Sequence, residues 1–230
     1  MATAATIAPT AFSPAIKESR ISRRRPSATA LNTSVVVDER ATEAIYSDIG
    51  MCQADDLVIR PERPSDYGAI AAVVRGAFVR HPDEVATFVE RIRASAQYIP
   101  ELALVAEDSS GVIAHVMLSW VSVKGGSRPR ILNLTPMSVR PDRQRMGVGT
   151  GLIWDALGRA EAAGEPAVLV EGIPGYYPRF GFEPAIPLGF VAPNPAIPAE
   201  AFMLKKLPGY TPDLAGRIIY PAAFDVLTPP

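Results

Sequence analysis

The sequence predicts an α/β (α+β) fold, a mixed central β-sheet flanked by helices. Three observations predict it. Short apolar runs of strand length alternate with longer runs whose apolar residues recur at helical spacing. A strand-like run at residues 131–139 leads through a glycine-containing loop into a helix-like run at 146–163. A fully apolar run at residues 167–170 reads as a strand covered on both faces, in the middle of the sheet.

The elements follow in order. Residues 57–61 form a short strand. Pro64, Ser65 and Asp66 start a helix on which Ala69, Ile70, Val73, Val74 and Phe78 share one face. Residues 83–96 form a second helix, with Val85, Phe88, Val89 and Ile92 aligned. A strand at 102–106 turns at Asp108, Ser109, Ser110 and Gly111 into a returning strand at 112–123. His115 lies inside that strand and reads as a sheet histidine. Residues 124–130 form a polar loop at the border of a substrate cleft. Beyond the 131–139 strand, Leu152, Ile153, Ala156, Leu157 and Ala160 point one helix face at a core, and Gly164 and Pro166 end that helix. Residues 172–182, G-I-P-G-Y-Y-P-R-F-G-F, turn sharply around a short helix. Residues 183–199 are proline-rich and loop-like, and 202–207 and 217–220 supply late strands.

Composition narrows the function classes. A chain of 230 residues, 48% hydrophobic and 20% charged, can build a sizeable core. The net charge of −1 gives no broad basic field for nucleic acid. One cysteine, Cys52, excludes an intramolecular disulfide framework, and His81 and His115 are too few for a metal cluster. No uncharged apolar run reaches membrane-spanning length. The expected organisation is an arm at residues 1–50 and one domain at 51–230. Residues 1–37 are rich in Ala, Ser and Thr, with Lys17, Arg20, Arg23, Arg24 and Arg25 against the single acid Glu18. That composition predicts a disordered arm and is also that of an organellar transit peptide. An extension, or a start placed too early with Met51 as the true one, is the alternative. A cytoplasmic location is expected, with a mitochondrion or plastid as the alternative if the arm is a transit peptide. Two-fold dimers are common among soluble proteins, so a homodimer stays open.

Residues 140–152, R-P-D-R-Q-R-M-G-V-G-T-G-L, are the stretch around which the chain is organised. The first amides of a helix have no intrahelical acceptor and can donate to an anion. Aligned peptide dipoles add partial positive charge there. Gly147 and Gly149 let a ligand approach the backbone with no Cβ in the way. A phosphate-bearing ligand is therefore expected; close helix–sheet packing is the structural alternative. No Lys-Ser or Lys-Thr follows the glycines, so this is not a P-loop. Leu152 stands where a dinucleotide fingerprint needs its third glycine.

Residues 144–149, Q-R-M-G-V-G, fit Q/R-x-x-G-x-G/A, the acyl-CoA pyrophosphate loop of the GNAT N-acetyltransferase superfamily. Residues 134–141, L-T-P-M-S-V-R-P, resemble the L-x-P-L-x-V-x-P strand that precedes that loop. Residues 176–182, Y-Y-P-R-F-G-F, resemble the Y-Y-x-R-F-G-F signature of the YhbS-like branch, and residues 198–203, P-A-E-A-F-M, resemble its tail. The resemblance spans about residues 56–227 and implies the GNAT fold.

The resemblance implies acetyl-CoA as cosubstrate, bound where the fourth and fifth strands splay apart. Met137, Ser138 and Val139 would pair with pantetheine through their backbone. The amides of Arg145, Met146, Gly147, Val148, Gly149 and Thr150 would cradle pyrophosphate, with Gln144 shaping the turn. Tyr177 would protonate the departing thiolate, with Tyr176 as the alternate; a phenol suits the role because it keeps its proton until a thiolate stands beside it. The alternative for either is a ring packed under the sheet end. Glu171 is the candidate general base, and its alternative is a solvated charge at a strand end. Where many relatives carry an acid, this chain has Ile173. The expected activity is acetyl transfer to a primary amine, the acceptor being a small molecule or a protein lysine. A non-catalytic acyl-CoA-binding module is the runner-up, since fold does not fix activity.

Overall fold

The computed structural model describes residues 57–227. Expectations for the arm and for Cys52 fall outside the described residues. An eight-stranded sheet forms the centre: β1 (Val58–Pro61), β2 (Tyr98–Asp108), β3 (Gly111–Lys124), β4 (Arg130–Val139), β5 (Ala167–Glu171), β6 (Phe182–Pro184), β7 (Phe202–Lys206) and β8 (Arg217–Ile219). Its order is β1-β2-β3-β4-β5-β7-β6, with β8 paired to β3. The β4–β5 pair is parallel and the other strand pairs are antiparallel, so the sheet is mixed as expected.

Side chains alternate across a strand, so each strand feeds two cores. On one face, α1 (Tyr67–Ala77) and α2 (Pro82–Arg93) set Ile70, Val74, Phe88, Val89 and Ile92 against Val105, Met117, Val121, Ile131 and Leu169. On the other, α3 (Val148–Ala162) sets Leu152, Ile153, Ala156 and Leu157 against Leu104, Val116, Leu118, Leu132, Val168 and Val170. Each of these side chains larger than alanine stabilises the fold by about 1.5–3 kcal/mol of transfer free energy. These are the helix faces that the apolar spacing predicts, except that Ala69, read as part of the α1 face, is exposed.

The structure moves several boundaries. β2 begins four residues before the predicted strand, because a register shift between Tyr98 and Ala103 accommodates Pro100. α3 starts at Val148 rather than 146, since Arg145 and Gly147 hold left-handed backbone with φ of 63° and 83°. α2 ends at Arg93, short of 96. β6 falls within the stretch read as turn and loop; its three residues pair with β7 but are too few to show alternation.

Candidate active site

The site is built where two strands part. β4 and β5 pair in parallel only at Leu132–Val168, Asn133–Leu169 and Leu134–Val170. Past Leu134, β4 stays bound to β3, with Met137 opposite Val116, Ser138 opposite His115 and Val139 opposite Ala114. The β5 side of Met137, Ser138 and Val139 is therefore an open backbone edge, next to buried side chains. Glu171 ends β5 one residue past the last β4 pair.

The glycine loop closes one end of the gap. Gln144 Nε2 donates to the Val139 carbonyl at 3.0 Å and bends the chain back over the strand. The amide of Gly151 makes a bond to Gly147 O, 2.9 Å. The amides of Val148, Gly149 and Thr150 precede it and have no helical acceptor. A Cβ on Gly149 would stand 3.2 Å from Val139 Cγ2 and 3.4 Å from the Tyr176 hydroxyl, so any side chain there would press on the strand edge. Two arginines that the sequence offers beside the loop are engaged elsewhere. Arg140 pairs with Asp142 at 2.7 Å, and Arg143 pairs with Asp108 at 3.0 Å. Hydrogen bonds from Ser110, with help from Arg143, hold the Asp108 carboxyl down at about 2. These pairs brace the loop entry, which leaves backbone amides to meet an anion.

The tyrosines sit in a 3-10 turn, Tyr177–Phe180, and its preceding residue. Tyr176 is buried, and its hydroxyl faces the start of α3 beside Gly149. Tyr177 lies against Gly172, just beyond β5: a Cβ there would be 2.2 Å from Cε2 of its ring. Phe182 meets the same ring edge-on at 5.5 Å. Burial raises the Tyr177 phenol well above its ordinary value, with Tyr176 adding to it, so it remains a proton carrier near neutral pH.

Glu171 is half-buried rather than a solvated strand end. Burial raises its carboxyl above the usual range, and a hydrogen bond from Tyr220 at 3.2 Å partly offsets that. His115 has the structural role its strand position suggests. It is fully buried and contacts Glu62 at 2.9 Å through Nε2. Arg93 at 2.8 Å and the Tyr98 hydroxyl at 2.8 Å share the same carboxylate.

The structure thus brings Met137, Ser138, Val139 and residues 144–150 together at one end of the gap, and Glu171 and Tyr177 at the end of β5. Sequence reasoning missed Tyr220 and the placing of the Tyr176 hydroxyl at the start of α3, 26 positions back at Thr150. No local signal marks either, because the Glu171–Tyr220 partners are 49 positions apart and the other pair 26. The glycine at 172 was visible within its turn, but its contact with Tyr177 was not. Among the described residues no cluster of metal-ligating side chains occurs, and no helix is long and apolar enough to cross a membrane.

A parted parallel pair, a glycine-opened helix start on the first strand and a tyrosine turn after the second define an acyltransferase-type scaffold. The family model described as acetyltransferase (GNAT) domain matches residues 58–185, and the chain belongs to that family. It is 34% identical over 146 residues to the uncharacterized N-acetyltransferase YjhQ of Escherichia coli K12, covering 61% of this chain and 78% of that one. It is 33% identical over 128 residues to the uncharacterized N-acetyltransferase YhbS of the same organism, covering 55% and 74%. Among solved structures, Escherichia coli YhbS in complex with CoA superposes with a TM-score of 0.65 at 28% identity, over 74% of this chain and 92% of that one. A GNAT family acetyltransferase from Brucella melitensis in complex with acetyl-CoA gives 0.60 at 31% identity, over 74% and 99%.

Proposed function

We propose that this protein is an acetyl-CoA-dependent N-acetyltransferase that moves the acetyl group to a primary amine of a small molecule or protein. The observation that carries the reading is the parted β4 and β5 beside the open amides of α3. The CoA and acetyl-CoA complexes of the two similar structures support it. The residues fit such a ligand. The edge of Met137, Ser138 and Val139 that β5 leaves without a strand partner offers extended backbone to pantetheine, and the amides from Arg145 to Thr150 offer donors to pyrophosphate. Tyr176 packs its hydroxyl end beside that helix start.

Bound acetyl-CoA supplies a thioester carbonyl that an amine can attack. Backbone donors on β4 favour charge developing on that carbonyl oxygen. As the N–C bond forms and the C–S bond breaks, Glu171 takes the proton that the amine nitrogen sheds, and the Tyr177 hydroxyl delivers one to the departing sulfur. Its raised phenol suits a donor that must stay protonated until then.

The test is amine-dependent thiol release from acetyl-CoA across a panel of primary amines, with Tyr177→Phe beside the parent protein. Release that falls about 100-fold in the variant, with acetyl-CoA affinity kept, is expected. Equal release by both proteins would remove Tyr177 from the chemistry. Acetyl-CoA binding with no release for any amine would favour a binding module instead.

A further inference from the structure

The C-terminal segment lies beyond the 58–185 match to the family model, yet it reaches the end of β5. β8 pairs with β3 at residues 122–124, opposite Ile219, Ile218 and Arg217. The chain then turns into a 3-10 segment, Ala222–Leu227. Tyr220 stands between the two. Its ring packs on Phe224 with centroids 4.6 Å apart, and Phe224 meets Phe88 of α2 edge-on at 4.8 Å. Phe224, itself anchored on α2, thus fixes the ring of Tyr220 and the direction of its hydroxyl. That hydroxyl lies 3.2 Å from Glu171 Oε2, on the sheet face covered by α1 and α2.

We propose that Tyr220 is a positioning residue of the transfer site, whose hydroxyl aims the Glu171 carboxylate at the mouth of the parted strands. This rests on the reading of Glu171 as the base. No bond of Tyr220 changes during transfer. Its O–H donates to Oε2, which leaves Oε1 to accept the amine proton. A carboxyl left half-buried without a donor holds its proton to higher pH and has no fixed orientation. Burial and the adjacent carboxylate keep the Tyr220 phenol well above its ordinary value, so it stays a donor. On the β7 side the residue opposite Glu171 is the uncharged Phe202. The C-terminal segment therefore completes the acceptor side of the site.

The test is carbon-detected pH titration of the Glu171 side-chain carboxyl in full-length labelled protein, with Glu171→Gln to assign the signal. The parent carboxyl should titrate above the usual glutamate range, and Tyr220→Phe should move it further up. Thiol release with an active amine from the panel should then fall roughly tenfold at neutral pH, the size of one hydrogen bond to a charged group. Acetyl-CoA affinity should not change. An unmoved Glu171 titration in folded Tyr220→Phe would overturn the proposal. If that variant does not fold, fluorotyrosine in the unmutated chain decides: its Tyr220 resonance must shift as Glu171 titrates, and a flat response overturns the proposal. These spectra need no acceptor, so a shift in a protein that binds no acetyl-CoA would sink the transferase reading while leaving the Tyr220–Glu171 coupling in place.

Discussion

Gly172 shows how one residue controls the site. The Tyr177 ring lies against its backbone, and a methyl group at that position would meet the ring at 2.2 Å. Gly172→Ala should push Tyr177 off the end of β5. Turnover should fall at least tenfold with little change in acetyl-CoA affinity, read from steady-state kinetics beside calorimetry. Unchanged turnover would mean that the ring position is not used. Glu171 carries the pH dependence. Burial, partly offset by the Tyr220 hydrogen bond, raises its carboxyl. A base must be ionised to work, so the acid limb of kcat/KM should lie above the usual glutamate range, and Glu171→Gln should remove that limb. At this scale the sequence was informative about residue types and less so about contacts. The glycines were legible from their spacing, and the tyrosines from the resemblance of residues 176–182 to the family signature. The role of each, one at the helix start and one at Gly172, required the fold.

The glycine loop and its strand are the element most legible in sequence. An apolar strand, two spaced glycines and an amphipathic helix determine each other locally, because helix-start geometry and strand alternation are short-range effects. The buried ion network around Glu62 was not legible. It joins the end of β1 to α2, β2 and β3, and its partners lie 31, 36 and 53 positions away. Burial of Glu62 disfavours its charge, but His115 and Arg93 outweigh that and bring its carboxyl to about 2. The folded value is below the ordinary 4.5, so the contribution is complete above about 4.5 and is lost as pH falls towards 2. Acid unfolding should therefore steepen across that window. Glu62→Ala leaves Arg93 buried without this partner and should cost about 3–5 kcal/mol in chemical denaturation. A loss below 1 kcal/mol would show that the network is dispensable.

For the whole molecule, the matched region 58–185 is less than the folding unit. β7 lies between β5 and β6, so removing it leaves β5 with an open edge and β6 with no partner. Phe224 and Tyr220 cover α2 and reach Glu171. A protein cut after residue 185 should fail to show cooperative thermal unfolding, whereas the full chain should show one transition by circular dichroism. The order of elements along the chain from β1 to β5 was legible in the sequence, and the resemblance supplied the fold. The return of β7 into the sheet between β5 and β6, and of β8 onto β3, was not, because short late strands carry almost no periodicity.

The central claim is that acetyl-CoA occupies the parting of β4 and β5. Calorimetric titration of the full chain with acetyl-CoA, beside Gly149→Leu, tests it most directly. A leucine there would fill the space between Val139 and the Tyr176 hydroxyl. The account predicts micromolar binding by the parent chain and at least a tenfold loss in a variant whose circular dichroism is unchanged. Equal affinity in the two folded proteins, or no binding by the parent chain, would contradict it.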